Sequence, residues 1–182
     1  VTEITDKDDV DRIVAQWAVE RPELLTQPMA VFGRIYRIAR LMADLQEEVY
    51  GRFGINRGEF DVLATLRRSG EPFQLSPKAL TASLMLTSGG MTGRLDRLER
   101  DGLVTRSTDP ADRRRLVITL TERGRALVDQ AVVAGLDVQH EVLDRLPADS
   151  RARLCDLLRD LLAAANAVTE EAPLRRRPGG SA

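Results

Sequence analysis

The apolar positions of this chain fall into stretches whose period changes along its length. Val31, Ile35, Ile38, Met42, Leu45 and Val49 recur at alternating spacings of four and three, which predicts one long amphipathic helix with a buried seam. Phe60, Leu63 and Leu66 mark another helix, opened by Asn56 and Glu59 in the arrangement of a capping box. Ser76-Pro77 reads as an N-cap and first-turn proline, and the helix it opens carries Leu80 and Leu84. After a short Met85-Leu86 link, Thr87 is a suitable N-cap for a helix carrying Met91, Leu95 and Leu98, which Gly102 stops. The period then drops to two. Residues 103–108 and 115–120 are β-prone runs, the second turning Leu116, Ile118 and Leu120 inward and Val117 and Thr119 outward. A long helix from Glu122 to about Leu146 follows, and a stripe of Leu154, Leu157, Leu158, Leu161 and Leu162 predicts one more.

This order of helices and a β-hairpin is that of a winged helix-turn-helix with additional helices on both sides. The fold class is mainly α with a small antiparallel β-wing. The expected division is 1–55 for the N-terminal helices, 56–121 for the winged domain, 122–170 for the C-terminal helices and 171–182 for a tail. The last segment, EEAPLRRRPGGSA in its wider context, has proline, glycine and charge but no packing pattern, so Arg175 to Arg177 read as tail. A compact winged domain needs neither the 31–49 helix nor the leucine-striped one. Their apolar faces must be buried somewhere, either in an intrachain core or against a two-fold copy, which would also set two recognition helices one DNA turn, about 34 Å, apart.

Chemistry concentrates in 87–124. Gly89, Gly90 and Gly93 each cost roughly 1 kcal/mol relative to alanine inside a helix, so close approach to another surface must favour them. That surface is either a neighbouring helix or a DNA groove, for which Ser88, Thr92 and Arg97 supply hydrogen-bonding groups. The hairpin tip decides for the groove. Asp109-Pro110 is turn chemistry, and Asp112 is followed by Arg113, Arg114 and Arg115, guanidinium groups suited to phosphates or a narrow minor groove. Asp112 can orient Arg114 through a forked salt bridge.

A net charge of -1 would argue against nucleic acid if it were spread evenly. It is not: residues 1–30 hold seven acids against three bases, whereas 87–125 hold nine bases against six acids. With 43% hydrophobic and 30% charged residues, the composition is that of an ordinary globular chain. No apolar run approaches the ~20 residues needed to span a bilayer, and no leader pattern is present, so a cytoplasmic location without membrane association is expected. One cysteine, Cys155, and one histidine, His140, can form neither an intramolecular disulfide nor a His/Cys metal cluster, and no cofactor or metal is expected. Cys155 falls in the leucine stripe, where a buried structural thiol is the default, and His140 reads as an ordinary helical polar residue. No glycine-rich phosphate loop follows a strand, no nucleophile has a histidine partner and no paired carboxylates form a motif, so an enzyme is not expected.

The stretches DGLVTR at 101–106, DRR at 112–114 and LTERG at 120–124 resemble the MarR family of transcriptional regulators. The resemblance covers nearly the whole chain. It implies a homodimer whose winged domains each bind half of a palindromic operator in double-stranded DNA, with 87–97 in the major groove and Arg114, positioned by Asp112, in the minor groove. It also implies release by a small-molecule effector. Trp17 in AQWAV, Asp61 in EFDVL, Arg94 in TGRLDRL and Arg106 in GLVTRS match the ligand-site residues of the family's urate-responsive branch, which carries an extra N-terminal helix. That branch implies a pocket for a planar anion such as urate, or a related aromatic or carboxylic acid. The chemistry is coherent, because an indole covers a flat ring, arginines bind the anion, and an acid beside it is repelled or protonated. The bland reading has Trp17 as an interface anchor, Asp61 pairing only with Arg94, and Arg106 touching a phosphate. A ligand-independent or architectural winged-helix protein, or a small-molecule-binding module without regulatory DNA binding, is the alternative.

Overall fold

The computed structural model describes residues 7–85, 90–108 and 115–175. It is mainly helical with one small antiparallel sheet, as the hydrophobic pattern implies. It divides into two compact units, 1–136 and 137–182.

In the first unit, α1 (Asp9–Glu20) starts at Asp8, whose carboxylate accepts from the N–H groups of Val10 and Asp11 while Asp11 accepts from the Asp8 N–H. The same acidic turn holds α1 against α2 (Gln27–Gly51): Arg34 pairs with Asp8 at 2.8 Å and Asp11 at 2.7 Å, and Arg37 with Asp9 at 2.7 Å. The predicted seam of α2 is buried only at its end. Val49 and Tyr50 are enclosed, whereas Val31, Ile38 and Leu45 are exposed among the described residues.

The reciprocal cap predicted for α3 (Arg57–Arg68) is present, with Asn56 Oδ1 accepting from Glu59 N–H at 2.8 Å and Glu59 Oε2 from Asn56 N–H at 2.9 Å. Ser76 likewise caps α4 (Pro77–Ser83), its hydroxyl accepting from Ala79 N–H at 3.2 Å. α5 (Met91–Arg100) ends at Gly102 with φ 67°, where Gly102 N–H bonds to Glu99 C=O and Leu103 N–H to Leu98 C=O. This is the paired bonding of a Schellman end, with buried Leu98 and Leu103 as its apolar pair.

The wing is a three-stranded antiparallel sheet in the order β1-β3-β2, from β1 (Gln74–Leu75), β2 (Val104–Thr108) and β3 (Leu116–Leu120). Val104 faces Leu120 and Thr108 faces Leu116, while Gln74 faces Thr119 and Leu75 faces Ile118. The alternation expected for β3 holds at Ile118 and Leu120 and fails at two neighbours: Val117 is buried and Leu116 exposed. β3 is the central strand, and Leu116 lies at its outer end, opposite exposed Thr108 and beyond the reach of β1.

Val62, Leu63, Leu66, Leu80, Leu98, Leu103, Val104, Ile118 and Leu120 form the core of this lobe. The turn into α6 (Glu122–Leu143) closes it, as the Thr121 hydroxyl accepts from Gly124 N–H at 2.9 Å and donates to Gly102 C=O at 2.8 Å. A Cβ on Gly124 would lie 2.1 Å from the Leu103 carbonyl oxygen, so only glycine lets α6 start this close to the wing. The motifs at 101–106 and 120–124 are thus two sides of one contact. Further along α6, Gly135 admits Tyr50: a Cβ there would lie 2.5 Å from the phenol oxygen. The Tyr50 ring stacks on Phe60 of α3 at 4.0 Å between centroids, and burial pushes its hydroxyl pKa up.

In the second unit, α7 (Ala148–Arg175) is approached through a turn in which Arg151 donates to Leu146 C=O and pairs with Asp144 at 2.6 Å. The helix continues to Arg175, five residues into the segment expected as tail, because the alanines and glutamates before Pro173 are strong helix formers. Leu154, Leu157, Leu158 and Leu162 are exposed, and so is Cys155, whose Sγ receives a weak contact from Arg159 at 3.8 Å. The buried thiol expected there is not found, since Cys155 and the leucines around it are exposed among the described residues. Among the described residues, no helix is long and apolar enough to cross a membrane.

Candidate nucleic-acid interface and effector site

The helix expected from Thr87 begins at Met91, with Gly90 as its N-cap at φ 73°. Gly90 therefore stands outside the helix, in the left-handed region that glycine enters without strain. Thr87, Ser88 and Gly89 lie outside the described residues, as do Asp112, Arg113 and Arg114 of the hairpin tip.

α5 buries Leu95 and Leu98 against the lobe and leaves Thr92, Gly93, Asp96, Arg97 and Arg100 exposed. Around Gly90 and Gly93 a Cβ would meet nothing within 4 Å. Neither glycine serves to seat a neighbouring helix, so of the two readings open for them in the sequence, intrachain packing has no support. What remains is an outward face with open space at Gly93 and the charged side chains of Asp96, Arg97, Glu99 and Arg100 beside it.

Arg97 is engaged from one side. Its Nε lies 3.2 Å from Oε1 of Glu59, which is only 2% exposed, and 4.0 Å from Asp101, while the arginine side chain itself is 49% exposed. Its partner in α3 was legible only as half of a capping box; nothing local in the sequence joins residues 59 and 97.

The four candidate effector residues occupy different surroundings. Trp17 is 42% exposed on α1, the helix pinned to α2 by its acidic first turn. Asp61 is buried in α3 and accepts from Met85 N–H at 3.3 Å, with its own carbonyl taking the Thr65 hydroxyl. Arg94 crosses from α5 onto α3 beside Gly58, where a Cβ would lie 2.5 Å from its Nε; Gly58 is three residues before Asp61 and was not singled out in the sequence. Arg106 is committed within the lobe. From β2 its Nη2 pairs with Asp96, its Nε lies 3.3 Å from Glu99, and its backbone N–H donates to Glu99 at 3.1 Å, which ties the wing to α5. A separate hollow lined by Phe73, Leu120, Glu122 and Arg125, among others, contains none of the four.

Residues 53–115 match the sequence pattern of the MarR family. The HTH-type transcriptional regulator PecS of Dickeya dadantii is 36% identical over 150 residues, 82% of this chain and 90% of its own. A mutant MarR from E. coli solved in complex with operator DNA superposes with a TM-score of 0.65 at 30% identity, over 77% of this chain and 99% of that one. BpsR of Bordetella bronchiseptica, whose structure concerns regulation of its DNA binding by 6-hydroxynicotinic acid, gives a TM-score of 0.65 at 25% identity over 77% of this chain and 96% of its own. With the winged lobe, the outward α5 face and this extent of likeness, the chain belongs to the MarR family of DNA-binding transcriptional regulators.

Proposed function

We propose that this protein is a homodimeric repressor that binds a palindromic operator and leaves it when a small planar anion, such as urate or an aromatic carboxylic acid, binds. Residues 56–121 form the DNA-binding domain, and the helices of 1–55 and 122–170 join two copies. The observation that carries the DNA-binding reading is the exposed α5 face, on which Thr92, Gly93 and Arg97 lie together with open space around the glycine. Such a face reaches the floor of a major groove without a bulky side chain intervening. Arg113 and Arg114 of the hairpin tip take the adjoining phosphates and minor groove, with Asp112 orienting Arg114. Ser88 and Gly89 extend the α5 contact, and Gly90 sets its start.

For release, Asp61 and Arg94 belong to α3 and α5, so an anion that draws Arg94 away from α3 changes how the recognition helix is seated. Trp17 covers the flat ligand, and Arg106 exchanges Asp96 and Glu99 for the anion. Such an effector releases DNA only to the extent that it binds the DNA-incompetent arrangement more tightly. BpsR and its 6-hydroxynicotinic acid supply a relative with an effector of this chemical class.

A gel-shift titration on the protein's own upstream DNA, at several salt concentrations and with urate and small aromatic acids, tests both parts. Sequence-preferring binding with a log-log salt slope of about 0.9 per phosphate contact is expected, and Arg114→Ala should lower the slope by roughly one unit. Binding without sequence preference would leave only an architectural role. Trp17→Ala or Asp61→Asn should reduce effector-induced release and spare effector-free binding; loss of both would make those residues structural.

A further inference from the structure

We propose that Glu59 is a positioning residue for base reading: it holds the Arg97 guanidinium by one edge so that the other edge is presented to a guanine. The proposal rests on the reading above that the α5 face enters a major groove. Glu59 is almost fully enclosed, and its two oxygens have separate tasks. Oε2 accepts from Asn56 N–H at 2.9 Å and closes the cap of α3; Oε1 lies 3.2 Å from Arg97 Nε. A cap alone leaves one oxygen of a buried carboxylate without an opposite charge, and Arg97 supplies that charge as an ion pair.

The direction of the contact matters. Glu59 and Asp101 both approach Arg97 from its Nε edge, at 3.2 and 4.0 Å, and half of the side chain stays exposed. Guanidinium is planar, so carboxylates gathered at Nε narrow the orientations open to the two Nη groups. Held this way, the Nη pair is available end-on, the arrangement that matches the O6 and N7 acceptors of guanine. A free arginine on a solvent-facing helix would sample many rotamers and lose that freedom on binding. Glu59 removes part of that loss beforehand. Because the same carboxylate caps α3, the base-reading arginine is referenced to the α3 N-terminus as well as to its own helix.

The test is a set of operators with each base pair of one half-site replaced, measured against the full-length wild type, Glu59→Gln, Arg97→Ala, the double variant and Asn56→Ala. Glutamine still accepts the cap bond but carries no charge, whereas Asn56→Ala weakens the same cap and leaves the Glu59–Arg97 pair intact. Arg97→Ala should abolish preference at one base pair; if it changes none, Arg97 does not read bases and the underlying reading fails at this residue. Given that loss, Glu59→Gln should reduce discrimination at that same position about tenfold, with unchanged or slightly stronger binding to unrelated DNA. The double variant should be no worse than Arg97→Ala, and Asn56→Ala should keep wild-type preference. Full discrimination in Glu59→Gln, or an equal loss in Asn56→Ala, would overturn the proposal. Should Glu59→Gln fail to fold, Glu59→Asp, which retracts the carboxylate by one methylene, is read against the same criteria.

Discussion

In the winged lobe, Leu63, Leu66, Leu80, Leu98 and Ile118 are withdrawn completely from solvent, whereas along α2 and α7 Ile38, Leu41, Leu157 and Leu162 are each more than half exposed. Both regions have strongly periodic apolar residues, so the difference lies in what each stripe has to pack on. The lobe supplies its own opposing surfaces, from α3, α4, α5 and the sheet. The flanking helices do not, and each large side chain left in water forgoes roughly 1.5–3 kcal/mol of burial. The lobe is a finished core; each flanking helix leaves its stripe exposed among the described residues.

That contrast can be broken most forcefully from the lobe side. Leu98→Ala should cost about 2–5 kcal/mol in urea unfolding, because the side chain is fully buried and the space it leaves collapses only in part. A cost below about 1 kcal/mol would mean the lobe core is far looser than its burial indicates. On the flank, Ile38→Asp should weaken dimerisation by roughly 30-fold, the equivalent of a 2 kcal/mol interface residue, read by analytical ultracentrifugation. An unchanged association constant would remove the exposed face of α2 from the interface.

Smaller effects sharpen the boundary between the regions. Gly58→Ala places a methyl against the far end of the Arg94 side chain, which can move, so stability should change by no more than about 0.5 kcal/mol. Effector response should nevertheless fall, because Arg94 is displaced from α3; an unaltered dose-response would separate Arg94 from sensing. The smallest effect concerns pH. N–H groups, Asp11's foremost, and Arg34 hold the Asp8 carboxyl below its ordinary 3.8, and Arg37 and Arg12 do the same for Asp9. A carboxyl more acidic in the folded than in the unfolded chain contributes stability above 3.8 and loses it as pH falls through the lower folded value. Docking of α1 should therefore be flat from neutral pH down to about 4 and weaken below it, reported by the fluorescence of Trp17, the sole tryptophan. A transition near neutral pH would assign the docking to other groups.

Local chemistry was readable in advance; long-range pairing was not. The Asn56–Glu59 cap, the Ser76-Pro77 start and the Gly102 stop each depend on residues within one turn, and all three are found where the spacing put them. β1 is two residues long, too short to show a period, so the central place of β3 could not be read in advance; Val117 is buried against expectation. Gly90 looked like a costly helix residue because the start of α5 depends on left-handed backbone that composition does not reveal. The proposed effector residues Trp17, Asp61, Arg94 and Arg106 could be singled out only through resemblance. Their actual neighbours, Gly58 for Arg94 and Asp96 with Glu99 for Arg106, come from the way α3, α5 and β2 are stacked.

The contact between Tyr50 and Gly135 constrains how this chain can change. Any side chain at 135 would collide with the phenol, so substitutions there are closed while Tyr50 remains, yet replacing Tyr50 first with a smaller residue leaves a gap beneath Phe60. The two positions are therefore epistatic, and the order of mutation decides whether an intermediate folds. Descendants should keep tyrosine and glycine together or exchange both, and a designer wishing to alter α6 has to begin on α2.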